Sequence, residues 1–176
     1  ILPILPKYHT SLLPDSILRN ENENDFVAKT PYRYALQKVY ISFAPERNIH
    51  PGDIVIFYRN GVPGNAGYTA VLTSVAIVEE ATSDFRSKEE YMRQVQNRSV
   101  FTNDELEQFW QKYRGNQIVL KFIFVKSLIK RPILKFLWDT DIIAFPSGPR
   151  PFTRITDEQF NMILNEAQTD LNRYWR

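Results

Sequence analysis

Cysteine is absent, and histidine occurs only at His9 and His50. The missing cysteine excludes disulfides, thiol nucleophiles and thiolate metal sites, and it agrees with a reducing, cytoplasmic setting. Two histidines are a poor start for a zinc site, so no metal and no cofactor is expected. No apolar run approaches the ~18 residues of a membrane-spanning helix, so no membrane partner is expected either. An excess of one charge is also lacking. The 22 basic and 20 acidic residues leave a net +2, too little to argue for a polyanionic partner by itself. No Gly-x-Ser-x-Gly, phosphate loop or dinucleotide fingerprint appears. The adjacent carboxylates Glu79-Glu80 and Glu89-Glu90 diverge, to opposite faces on a strand or by ~100° on a helix. A binding role is therefore favoured over catalysis.

What is present is a hydrophobic fraction of 43% with 24% charge in 176 residues. That composition excludes disorder as the overall state and suits one domain, or one domain and an arm. Residues 1–31 carry Pro3, Pro6, Pro14 and Pro31 and a polar run from Asn20 to Asp25. They are expected to form an extended Pro-rich arm or linker, neither a regular strand nor a long helix. Leu12, Leu13, Ile17 and Leu18 are available to pack it down. The opening Ile1-Leu2-Pro3 reads as the start of a domain that follows another in a longer protein.

Residues 32–176 form the domain proper. Residues 38–43 and 54–59 predict strands from their β-branched and aromatic content, and the second is apolar on both faces. A glycine-containing loop spans 60–67. The run from Tyr68 to Glu80 is long for one strand and predicts a bend or bulge near Thr73-Ser74. Helices are predicted over 89–97, after Ser87, and from the capping box Thr102-x-x-Glu105 to Tyr113, ending at Gly115. Together they make a helical insert at about 82–115. A strand at 118–127 alternates, with Val119, Lys121, Ile123 and Val125 on one side. Pro132 opens a helical turn to Trp138, 151–155 predicts a short strand, and Thr156-x-x-Gln159 caps a last helix. Without βαβ alternation this order argues an α+β fold, a strongly bent mixed sheet closing into a small β-barrel with peripheral helices.

The run Tyr40-Ile-Ser-Phe-Ala-Pro-Glu-Arg-Asn-Ile-His-Pro-Gly-Asp53, followed by Ile54-Val-Ile-Phe-Tyr-Arg59, resembles the EVE domain family. That family belongs to the PUA-like superfamily, with ASCH and YTH modules as relatives. Val78-Glu79-Glu80, the strand at 118–125, Arg131-Pro132-Ile133 and Arg150-Pro-Phe-Thr-Arg-Ile-Thr156 agree in order. The resemblance covers roughly 38–165. Phe43-Ala44 stands where the family usually carries Arg-Asn, and the insert is longer than usual. The resemblance implies a non-catalytic module that binds nucleic acid, RNA or DNA, often through one flipped and modified base. It also implies a fused or associated N-terminal domain, and a hydrolase activity within the ASCH group.

Binding a base needs a stacking surface, hydrogen-bonding groups for its edge and positive charge for phosphates. The residues expected to provide them are Tyr40, Tyr58 and Tyr68 for stacking and Ser42 for the edge. Arg47, Arg59, Lys121, Arg150 and Arg154 are expected to hold phosphates. From Gln117 to Arg154 seven basic residues face two acids, whereas from Glu79 to Glu107 eight acids face four bases. One flank is therefore expected to be positive. The alternative is a protein-interaction or regulatory domain of a larger, acetyltransferase-like enzyme, with the acidic insert as its contact face.

Overall fold

The structure is a computed structural model that describes residues 1–19, 21–22 and 35–171. Its core is one mixed five-stranded sheet, curved into a half-barrel, with helices around it. The strands are β1 (Leu2–Ile4), β2 (Gln37–Ser42), β3 (Ile54–Arg59), β4 (Val71–Thr82) and β5 (Ile118–Ser127), ordered β1-β3-β4-β5-β2. β1 runs parallel to β3, and the other pairings are antiparallel. The helices are α1 (Pro6–Leu12), α2 (Ala66–Thr69), α3 (Lys88–Val95), α4 (Asn103–Tyr113), α5 (Leu134–Asp139) and α6 (Asp157–Glu166).

The long strand β4 bends where register slips. Ser74 pairs with Phe57 and Leu72 with Tyr58, which leaves Thr73 as the extra residue of a bulge. Further slips follow at Val75/Ala76 and Val78/Glu80. Bulges raise local twist, and this curvature wraps the sheet. The edge strands β1 and β2 meet across a seam, where the Tyr40 hydroxyl donates to the Pro3 carbonyl at 2.8 Å.

Curvature gives the sheet an inside and two covered outer faces. Inside lie Leu2, Ile4, Leu12, Leu13, Val55, Phe57, Leu120 and Phe122. Ile56, Tyr58, Leu72 and Val75 instead pack against α5 and α6. This explains why β3 is apolar on both sides. The insert holding α3 and α4 covers Val39, Ile41 and Val119 of β2 and β5 with Tyr91, Val95 and Leu106. Both expected capping boxes form, at Thr102–Glu105 and Thr156–Gln159.

Three local expectations change. The first residues hold a strand and a seven-residue helix rather than an extended arm, with Leu2 and Leu13 buried. Pro3 is tolerated there because β1 is an edge strand, where a missing N–H costs no ladder bond. Tyr68 belongs to α2, and β4 begins only at Val71. Residues 151–155 form no strand: the Thr153 hydroxyl bonds both the Arg150 N–H and its carbonyl, holding the chain in a turn. Pro31 and the stretch from Glu23 to Asp25 lie outside the described residues.

Candidate functional site

One end of the half-barrel is polar. It is framed by the last residue of β3, the first turn of β4, the end of β5 and the segment after α1. The bulge turns Thr73 inward, and its hydroxyl lies 3.0 Å from His9 Nε2. His9 Nδ1 sits 3.3 Å from the Thr10 hydroxyl. Thr10 donates to Glu21 Oε2 at 2.6 Å, and the Leu18 N–H donates to the same oxygen at 3.0 Å. Glu21 Oε1 accepts from Arg59 Nη2 at 2.8 Å. Arg131 donates to the Ile17 carbonyl at 2.8 Å. Ser16 and Ser127 bond each other at 2.7 Å beside this group. His9, Thr10, Ser16, Thr73 and Ser74 are all buried.

Burial sets the electrostatics. Desolvation first, and the Arg59 cation second, pull His9 down from its ordinary 6.5 to about 3, so its ring is neutral at physiological pH. Burial pushes the Glu21 carboxyl up, but the Thr10 hydroxyl, the Leu18 amide and Arg59 outweigh it and hold Glu21 below the usual carboxylate range. Burial also draws Arg131 downward, and Glu21 opposes that shift. Two guanidiniums therefore face one carboxylate, and Arg19 adds its field to Arg131. Glu21 does not satisfy them. Arg59 Nε and Arg131 Nη1 are buried with no hydrogen-bond partner among the described residues. A buried donor left unpaired costs ~1–3 kcal/mol, more when charged. The cluster is thus cationic and short of acceptors, as an anion site requires.

Of the expected site residues, Arg59 alone joins this cluster. Tyr68 is 64% exposed on α2, and Arg150 is exposed on a loop. Tyr58 is buried against α5 and α6, with burial raising its hydroxyl to about 12. Tyr40 is taken up at the seam. Ser42 is buried, and its hydroxyl accepts from the Ala44 N–H at 3.2 Å. Arg47 donates to the carbonyls of Ala44, Glu46 and Asn116. Lys121 pairs with Glu80 at 2.7 Å. Arg154 donates to Asn48 at 3.0 Å and lies 3.3 Å from Asp53. Among the described residues, hollows of about 630, 250 and 310 Å³ open at the surface, and Tyr58 and Tyr68 line none of these three. The 310 Å³ hollow opens at the seam, among Tyr8, Tyr40, Phe43, Phe101 and Phe109.

His9, Thr10, Glu21, Thr73 and Arg131 escaped sequence reasoning as site residues. The signal that could have found them is the polar pair Thr73-Ser74 within an apolar strand, at the predicted bulge. Among the described residues no three His, Asp or Glu side chains converge to hold a metal ion. No helix among them is long and apolar enough to cross a membrane.

No family model and no curated protein matches this sequence. Solved structures do match. The crystal structure of one single-substitution mutant of ZmASCH from Zymomonas mobilis aligns with a TM-score of 0.54 at 10% identity, covering 94% of this chain and 93% of that one. A second ZmASCH mutant aligns with a TM-score of 0.56 at 9% identity, covering 93% and 94%. The chain shares the fold of these ZmASCH proteins. The likeness covers more than nine-tenths of both chains.

Proposed function

We propose that this chain is a nucleic-acid-binding module that takes a phosphate of its ligand at the polar end of the half-barrel. The observation that carries this reading is the pair of buried guanidiniums, Arg59 and Arg131, each retaining an N–H that Glu21 and the backbone leave without an acceptor. A phosphate oxygen supplies both the missing acceptor and the missing negative charge. Within the PUA-like group, the landmarks from Tyr40 to Thr156 support the EVE branch, and with it a flipped, modified base as the ligand.

Fluorescence anisotropy with labelled single-stranded RNA and DNA tests the reading. Binding should weaken steeply with salt, and the slope of log K against log salt should fall by about 0.7 for each phosphate contact removed. Arg131→Gln removes one such contact. Glu21→Gln with Arg59→Gln removes that ion pair as a unit, so neither of its two charges is left without the other. Binding that ignores salt in the parent protein would overturn the proposal.

The 2.6 Å contact between Thr10 and Glu21 favours a second reading, hydrolysis with the Thr10 hydroxyl activated by the carboxylate. A carboxyl held low is a weak proton acceptor, and His9 at about 3 is likewise a poor one for work near neutrality. Both shifts favour binding over hydrolysis. Turnover of an RNA or nucleoside substrate that disappears in Glu21→Gln while binding persists would reverse that order.

A further inference from the structure

Two large aromatic rings stand in solvent. Phe145 is 74% exposed and Tyr68 is 64% exposed. Single exposed apolar side chains are ordinary, but these two are joined through a third ring. Trp138 of α5 packs edge-on to Phe145, with centroids 5.0 Å apart and planes at 83°. Its indole N–H donates to the Ser147 carbonyl at 2.7 Å, which pins the loop that carries Phe145. Trp138 also meets α2. A Cβ built on Gly67 would lie 2.8 Å from the Trp138 ring, so only glycine lets the segment bearing Tyr68 settle there. The Thr69 hydroxyl fixes that segment further, bonding the Asn65 carbonyl and the Val62 N–H. Both exposed rings are thus carried on segments anchored at Trp138.

The surroundings are cationic. Arg150 follows Phe145 on the same loop, is exposed, and has no carboxylate partner among the described residues. Lys135 lies close enough to Tyr68 to interact with it, although Asp139 holds its ammonium at 2.7 Å. The Leu134 N–H bonds the Ala70 carbonyl and the Leu72 N–H bonds the Pro132 carbonyl, which ties α5 to the start of β4 beside Arg59.

We infer that Tyr68 and Phe145 form a stacking platform for unpaired bases of single-stranded nucleic acid, with Arg150 holding a phosphate beside it. The inference rests on the nucleic-acid reading above and adds where the bases lie. Exposed flat rings next to an uncompensated guanidinium suit a strand that presents π faces and phosphates together. A duplex hides its base faces and cannot use them.

The test compares three ligands of equal length: a single-stranded oligonucleotide, its abasic counterpart and a duplex. The parent protein should bind the base-bearing strand roughly tenfold more tightly than the abasic one. Phe145→Ala together with Tyr68→Ala should erase that preference and leave the salt slope unchanged, whereas Phe145→Trp should retain it. Both rings are exposed, so these variants keep the fold. A preference that survives in the double variant overturns the platform and leaves the nucleic-acid reading standing. Equal binding of abasic and base-bearing strands by the parent protein does the same. Failure to bind any of the three ligands overturns both.

Discussion

His9 should make this protein lose stability in mild acid. The ring is fully buried between Thr10 and Thr73, and burial together with Arg59 lowers it from 6.5 to about 3. In the unfolded chain the ring takes a proton near its ordinary value. Between the two values the unfolded state binds the extra proton and the folded state does not, so stability rises with pH across that window. The contribution is fully present above about 6.5 and is lost progressively as pH falls towards 3. A depression of this size corresponds to at most ~5 kcal/mol in total. From about pH 7 to about pH 5, before the carboxylates titrate, ~2 kcal/mol should disappear. Urea unfolding at the two pH values measures this directly. His9→Gln keeps a polar side chain near both hydroxyls but cannot take the proton, so its stability should change far less between them. His50→Asn, on an exposed turn, serves as the control and should behave like the parent. If His9→Gln lost as much stability as the parent over that interval, His9 would not be the buried neutral group described here.

The remaining predictions concern the frame that holds the site. Thr73→Val preserves shape but strips the partner from His9 Nε2, and should cost ~1–3 kcal/mol in chemical denaturation; no loss would mean that the bulge residue does not support the ring. Gly67→Ala drives a methyl into Trp138 and should cost ~1–3 kcal/mol, with a shifted tryptophan emission as the ring moves. Leu13→Ala, at a residue with no exposed surface, should cost ~2–5 kcal/mol if the first residues are core and not a detachable arm. Thr102→Ala removes the reciprocal cap with Glu105 and should cost ~0.5–2 kcal/mol, read as a lower melting temperature.

Much of the fold was legible because local chemistry and long-range packing agree there. Strand β3 reads as apolar on both faces and is covered on both. The Thr-x-x-Glu and Thr-x-x-Gln boxes start the helices they announce. The bulge foreseen near Thr73-Ser74 falls on Thr73. Strand β1 was not legible, since three residues containing a proline carry no periodicity, and their pairing with β3 is fixed by contacts more than fifty positions apart. The short strand expected at 151–155 gave way to side-chain bonds from Thr153, a local competition that apolar pattern does not report.

The site was harder to read for a different reason. Its groups come from α1, the segment after it, β3, β4 and the stretch before α5, and no spacing along the chain reveals that meeting. One part was within reach. Tyr58 and Arg59 are neighbours on a strand and must point to opposite faces, so both could not serve one cleft. The structure sends Tyr58 under α5 and α6 and Arg59 to Glu21.

The central claim is that Arg59 and Arg131 hold a phosphate at the polar barrel end. The most direct measurement is the affinity for a single-stranded oligonucleotide, titrated over salt, in the parent protein and in Arg131→Gln. The account predicts a steep salt dependence in the parent and a slope shallower by about 0.7 in the variant. Identical slopes in the two proteins, or no salt dependence in either, would contradict it.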